Sequence, residues 1–137
     1  MNVLVTGGAG FIGSHLTRAL LNRGDRVTVL DNFDDAYDPS WKIQNLEGLE
    51  INLVSGDVRD RASVEASLQG VDVVVHLAAL AGVRESLESP GRYASVNVGG
   101  TMNLLEAVRE RPGLPVIFAS SSSVYGNRDS GPFVETD

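Results

Sequence analysis

Short runs of aliphatic and β-branched residues alternate along this chain with stretches in which apolar residues recur at helical spacing. NVLVT (2–6), RVTVL (26–30), INLVS (51–55), VDVVVHLA (71–78) and PVIFASS (115–121) are nearly continuous in apolar character, which marks strands buried on both faces and therefore a parallel sheet. Between the first two, Ile12, Leu16, Ala19 and Leu20 share one helical face. After the third, Val64 and Leu68 mark a shorter helix, and from about 90 to 111 a longer one sets Val98, Thr101, Leu105 and Val108 on a single stripe. Residues 31–48 are the least regular, and their acidic side chains, Asp31 aside, are expected in a solvated loop. This β-α-β rhythm with right-handed crossovers predicts an α/β fold. The expected form is one layered α/β/α domain, a doubly wound parallel sheet of strand order 3-2-1-4-5.

TGGAGFIGSH (6–15) places glycines at 7, 8, 10 and 13, between the first strand and the first helix. Glycine costs about 1 kcal/mol relative to alanine inside a helix, so such a cluster serves backbone shape or the close approach of another group. Gly8, Gly10 and Gly13 satisfy G-x-G-x-x-G, and Gly7, Gly10 and Gly13 satisfy an equally spaced alternative. In either register a side chain at Gly10 would obstruct a pyrophosphate and one at Gly13 would obstruct helix-to-sheet packing. Free N–H groups and the dipole at the start of the helix favour an anion there. With a strand before, a helix after and Asp31 closing the second strand eighteen residues past Gly13, the pattern predicts dinucleotide binding on a Rossmann sheet. A carboxylate at Asp31 accepts from ribose hydroxyls and repels a 2′-phosphate. No Lys or Arg lies between Asp31 and Trp41 to offset it, so NAD is expected over NADP. The plain alternative for Asp31 is a turn residue that ends the strand, and for Asp57, in SGDVRD, a helix N-cap.

Composition narrows the partners. The 137 residues, 42% apolar and 21% charged, suit one globular domain. A formal charge of -7 without any basic run argues against nucleic acid as a partner. The apolar run Val3–Val5 is far too short for a signal peptide or a membrane span. The absence of cysteine suits a reducing compartment, so a cytoplasmic location is expected, with no membrane partner. His15 and His76 fall on different elements with nothing converging on them, so no metal site is expected.

TGGAGFIGSH, DNF, GDVRD, VVHLAA, NVGGTMNLLEA and SSSSVYG together resemble the extended short-chain dehydrogenase/reductases of the NAD-dependent epimerase/dehydratase family, over essentially the whole chain. The nearest look is that of nucleotide-sugar 4-epimerases of the UDP-glucose and UDP-glucuronate type, the latter through DNFDDAYDPSWK and AGVRESLESP. The resemblance implies that Gly7, Gly10, Phe11, Ile12 and Gly13 hold the pyrophosphate and that Asp31 and Asn32 hold the adenosine ribose. It likewise implies that Asp57 and Val58 flank the adenine, while Leu77, Ala78 and Ala79 line the channel toward the nicotinamide with Asn97 nearby. Ser121, four residues before Tyr125, takes the place of the family's catalytic Ser or Thr at the end of the fifth strand. Ser122 and Ser123 stand where sugar dehydratases of the family carry an Asp-Glu pair, which favours epimerase over dehydratase and makes both serines candidate substrate contacts. For Ser120, Ser122 and Ser123 the alternative is hydroxyls that satisfy loop backbone. Arg84 is a candidate for an anionic substrate, with a surface ion pair as the alternative.

In the implied reaction bound NAD takes a hydride from C4 of a UDP-sugar and returns it to the other face, with a Tyr-x-x-x-Lys tyrosine as base. Four residues after Tyr37, Tyr93 and Tyr125 stand Trp41, Asn97 and Asp129, and the single lysine is Lys42. The dyad is therefore absent, and the chain is expected to be the N-terminal portion of an epimerase, without its substrate domain and inactive by itself. A naturally short NAD-binding module, or a subunit completed by another chain, is the alternative. Tyr125 is expected to pack below the serine loop. Val116, Ile117 and Phe118 are expected to leave an apolar strand edge that favours a homo-oligomer.

Overall fold

Five parallel strands pair in the order β3-β2-β1-β4-β5 in a computed structural model that describes residues 1–127 and 131–136. They are β1 (Asn2–Thr6), β2 (Arg26–Asp31), β3 (Asn52–Ser55), β4 (Val73–His76) and β5 (Val116–Phe118). The register sets Val3 beside both Val27 and Val73, and Thr6 beside both Leu30 and His76. The last two strands are shorter than the apolar runs that announced them, because 77–81 and 119–121 leave the sheet to form its rim.

Side chains of the strands alternate between two separate cores. Leu4, Leu30 and Val74 pack on one face with Val64 and Leu68 from the α3 region and with Leu104 and Ala107 from α6; α3 is Arg61–Ser67 and α6 is Thr101–Arg109. Val3, Val5, Val27 and Val29 pack on the other with Leu20 of α1 (Phe11–Asn22) and Leu46 of α2 (Pro39–Leu46). Both faces are covered, and this is what made the strand sequences read as continuous apolar runs.

The helices depart from the expected faces. In α1 the buried positions are Gly13, Ser14, Thr17 and Leu20, whereas Ile12 is 69% exposed, Ala19 is exposed and Leu16 is half-buried. The helix starts so close to the sheet that small residues form the contact, and the larger Ile12 is turned toward the rim. Along 90–109 the chain runs as α5 (Pro90–Tyr93), a π-wound turn (Ala94–Gly100) and α6. Its inward row is Val96, Gly100, Leu104 and Ala107. Val98 and Leu105 are exposed, and Thr101 and Val108 are half-buried, so the expected stripe is rotated off the core. A Cβ on Gly100 would lie 2.5 Å from the Val58 side chain. Glycine therefore marks the inward face that a count of apolar residues passes over.

Within 31–48, expected as loop, α2 forms. Asp38 accepts from the Ser40 amide at 2.9 Å and Pro39 opens the helix, both ordinary start signals. Its inward residues are Lys42 and Leu46, and a lysine in an inward position conceals the apolar spacing. A short α4 (Val83–Glu88) was likewise not foreseen. Among the described residues no helix is long and apolar enough to cross a membrane. Asp129, which stands in the Lys position after Tyr125, lies outside the described residues.

Candidate functional site

At the carboxyl ends of β1 and β4 the chain leaves the sheet in opposite directions, toward α1 on one face and toward α6 on the other, and a cleft opens between them. Its volume is ≈430 Å³, and Gly7, Gly10, Phe11, Ile12, Gly13, Asp31, Asn32, Val58, Leu77, Ala78 and Ala79 all line it. A larger hollow of ≈760 Å³ lies at the opposite ends of the strands among Asn2, Asp25, Arg26 and Asn52, where neither a helix N-terminus nor the switch point opens.

Each glycine of the first loop has a distinct reason. Gly7 has φ +69°, and a Cβ there would lie 2.8 Å from the Ala78 amide nitrogen. A Cβ on Gly8 would meet the Val29 side chain at 2.7 Å, so the loop lies tightly on β2. At Gly13 the obstacle is the loop itself, the Gly7 carbonyl and the Gly8 Cα, rather than the helix-to-sheet packing expected from the sequence. Gly10 differs: its φ of -71° suits any residue, and the nearest atoms to an added Cβ are the Gly7 carbonyl at 3.2 Å and the Tyr37 hydroxyl at 3.8 Å. Its backbone faces the cleft. The first helical bond runs from the Ser14 amide to the Gly10 carbonyl at 2.9 Å, so the amides of Phe11, Ile12 and Gly13 precede it. Among the described residues none of those three amides has an acceptor.

Asp31 is 6% exposed. Its Oδ2 accepts from the Ala9 amide at 3.0 Å, and its Oδ1 accepts from the Phe33 amide at 2.9 Å and from Lys42 Nζ at 3.4 Å. A cation does therefore reach this carboxylate, one residue beyond the window in which the sequence showed none. Lys42 lines the cleft as well and was missed because its position depends on α2. Tyr37 packs nearby, with Lys42 Nζ 5.3 Å from its ring centroid. Burial and then the Asp31 charge push its phenol above the usual range, the wrong direction for a base.

Asp57 does not cap a helix. The α3 cap is Asp60, which accepts from the Ser63 amide at 2.9 Å. Asp57 accepts instead from Arg59 Nη2 at 2.7 Å and from Asn32 Nδ2 at 2.9 Å, and the guanidinium bonds hold its carboxyl down to about 2 although burial opposes them. Val58, not Asp57, faces the cleft. Asn97 stands behind the wall: its Oδ1 accepts from the Leu80 amide at 2.8 Å and its Nδ2 donates to the Leu80 carbonyl at 2.9 Å. The buried His76 imidazole has its pKa lowered by desolvation.

Of the expected substrate-side residues none lines the cleft itself, although Ala119, two residues before Ser121, does. Ser121, Ser122 and Ser123 are exposed, and the Ser121 hydroxyl accepts from the Ser123 amide at 3.3 Å, the loop-backbone role that had been the alternative for its neighbours. Arg84 is 87% exposed and stands 3.6 Å from Glu88, four residues on along α4, so its recorded partner is the surface ion pair. Tyr125 stacks on Phe133 with ring centroids 4.8 Å apart.

Residues 3–137 match the NAD dependent epimerase/dehydratase family. The chain is 46% identical over 142 residues to UDP-glucuronate 4-epimerase 3 of Arabidopsis thaliana, which covers 99% of this chain and 33% of the relative. The chain thus spans about a third of the length of that relative. It superposes with a TM-score of 0.87 and 39% identity on a UDP-glucuronic acid 4-epimerase from Bacillus cereus solved with UDP-glucuronic acid and NAD, covering 99% of this chain and 45% of that one. With a UDP-glucose 4-epimerase from Stenotrophomonas maltophila solved with NAD the TM-score is 0.86 at 40% identity, covering 99% and 41%. A glycine loop, a doubly wound sheet and a match that runs nearly end to end agree: this chain belongs to the NAD-dependent epimerase/dehydratase family.

Proposed function

We propose that the chain is the NAD-binding portion of a nucleotide-sugar 4-epimerase of the UDP-glucose/UDP-galactose or UDP-glucuronate class. The observation that carries this reading is the trio of acceptor-free amides at Phe11, Ile12 and Gly13, open to the cleft across Gly10. Such a cradle suits the pyrophosphate of a dinucleotide. Asp31 suits the adenosine ribose. With Ala9, Phe33 and Lys42 on it, its Oδ2 retains an acceptor position for one hydroxyl proton, while Lys42 has N–H groups to offer a hydroxyl oxygen. Asn32 borders the same end, with Val58 as an apolar flank for the adenine, and Leu77, Ala78 and Ala79 form the wall toward the nicotinamide. Bound there, NAD supplies the acceptor and donor of hydride at C4 of the sugar.

Ser121 remains the residue assigned to the sugar hydroxyl, with Ser122, Ser123 and Arg84 as substrate contacts, in a reading that rests on the family motifs. Their exposure, and the want of a Tyr-x-x-x-Lys pair in this sequence, favour a narrower activity for this chain alone: it binds NAD without turning over a UDP-sugar. Nucleic acid has no part in this reading, and a homo-oligomer does. Calorimetric titration of NAD tests the proposal. The wild-type chain binds, and Gly10→Val, whose backbone angles any residue tolerates, loses binding while its circular dichroism is unchanged. Retained affinity in that variant overturns the cradle. Epimerisation of UDP-glucuronate or UDP-glucose by the isolated chain overturns the narrower activity.

A further inference from the structure

The Leu77–Leu80 wall of the cleft is braced at both ends. At its start the Thr6 hydroxyl accepts from the amides of Leu77 and Ala78, each at 3.2 Å. At its end the Asn97 side chain makes its two bonds to the Leu80 backbone. The braces come from different elements, β1 and the π-wound turn, and between them stands His76, 2% exposed. Its Nδ1 lies 2.6 Å from the Thr6 hydroxyl and its Nε2 lies 3.0 Å from the hydroxyl of Thr101. Thr101 in turn donates to the Asn97 carbonyl at 2.6 Å.

These bonds allot every proton. Thr101 has one hydroxyl hydrogen, and a carbonyl can only accept, so that hydrogen belongs to Asn97. Toward the ring Thr101 must therefore accept, which requires hydrogen on Nε2. A neutral ring with hydrogen on Nε2 leaves Nδ1 bare, so the Thr6 hydroxyl hydrogen points at Nδ1, while the Thr6 hydroxyl oxygen accepts from the Ala78 amide and shares the Leu77 amide with the Thr6 carbonyl, 3.1 Å from that nitrogen. The chain of donors then runs in one direction, from the two amides through Thr6, His76 and Thr101 to Asn97. Hydrogen on Nδ1 would make the Thr6 hydroxyl oxygen accept from the ring as well, in competition with the two amides; the Leu77 amide keeps the Thr6 carbonyl, whereas the Ala78 amide has no other acceptor among the described residues and is the one that loses.

We infer that His76 is a positioning residue for the cofactor cleft: fixed as the neutral Nε2–H tautomer, it joins the Thr6 and Asn97 braces and holds the Leu77–Leu80 wall in one register. The effect on cofactor rests on the NAD reading, whereas the proton assignment stands without it. Thr101 separates the idea from a merely structural role. It does not line the cleft or bond to the Leu77–Leu80 segment; its hydroxyl reaches Ala78 through His76 and Thr6, and reaches Leu80, at the other end of the wall, through Asn97, so the Ala78 amide is the readout specific to His76.

In the 15N-labelled chain, imidazole shifts are expected to report hydrogen on Nε2 alone. Thr101→Val, which removes the acceptor that demands it, is expected to populate the Nδ1–H form and to speed exchange of the Ala78 amide by about three- to tenfold, the range of one hydrogen bond. It is also expected to raise the Kd for NAD by a similar factor, about three- to tenfold. Thr101→Ser, which keeps the hydroxyl, is expected to restore all three readouts. A mixed tautomer in the wild type overturns the inference, and so does an unchanged Ala78 exchange rate in Thr101→Val. Wild-type chain that shows the tautomer and the exchange effect but binds no NAD refutes the cofactor reading and upholds the brace. Normal NAD binding in Thr101→Val with faster Ala78 exchange refutes the coupling to the cleft.

Discussion

Asp31 and Lys42 illustrate how a single residue's role changes once its neighbours are known. The carboxylate is held by two amides and approached by an ammonium at 3.4 Å, with side chains 4% and 10% exposed. Alone, Asp31 repels a 2′-phosphate; with Lys42 beside it, part of that repulsion is offset. The two substitutions are therefore expected to act in opposite directions. Asp31→Ala narrows the preference for NAD over NADP by about tenfold, and Lys42→Met, which keeps most of the volume and removes the charge, widens it by about as much, the equivalent of about 1.4 kcal/mol. Titration of both cofactors into both variants checks this, and an unchanged ratio in either removes that residue from the ribose end. Asp31 was legible in the sequence because it closes a strand at a fixed distance from the glycines. Lys42 was not, because an isolated lysine in an irregular stretch reveals nothing until Asp38 and Pro39 start a helix that turns it inward.

Elements were easier to locate than to orient. All five strands and the three helices read from apolar spacing are present, yet α6 faces inward with a row that the spacing did not select. Leu104 and Leu105 are adjacent, but Leu104 is 0% exposed and Leu105 is 46% exposed. Leu104→Ala is expected to cost about 2–5 kcal/mol, while Leu105→Ala stays within about 0.5 kcal/mol. Urea unfolding of the two variants measures this, and equal losses mean that the helix packs through the stripe Val98, Leu105 and Val108 instead. Apolar periodicity misled here because the inward face carries Gly100 and Ala107, which contribute little hydrophobicity but let the helix approach Val58 and the sheet closely. The π-wound turn before α6 also shifts the phase against an ideal spacing.

At the scale of the whole molecule, two cores lie on opposite faces of one sheet and the cleft proposed for the cofactor lies where the crossovers part. β5 pairs with β4 alone among the described strands, and Ile117 and Phe118 on it are each 58% exposed. Val98, Met102 and Leu105 add a second exposed apolar surface. The chain is accordingly expected to self-associate at micromolar concentration, with Ile117→Lys on the open edge reducing association. Sedimentation velocity decides, and a clean wild-type monomer counts against it. The sequence by itself determined the parallel sheet, its strand order and the place of the glycine loop, because these follow from local properties: unbroken apolar runs, the handedness of crossovers and the backbone freedom of glycine. It did not determine what reaches Asp31, which helical row faces the sheet, how Ser121 and Arg84 sit relative to the cleft, or that His76 links two braces. Those are decided by contacts between residues far apart in the chain, and only the tertiary packing sets their distances.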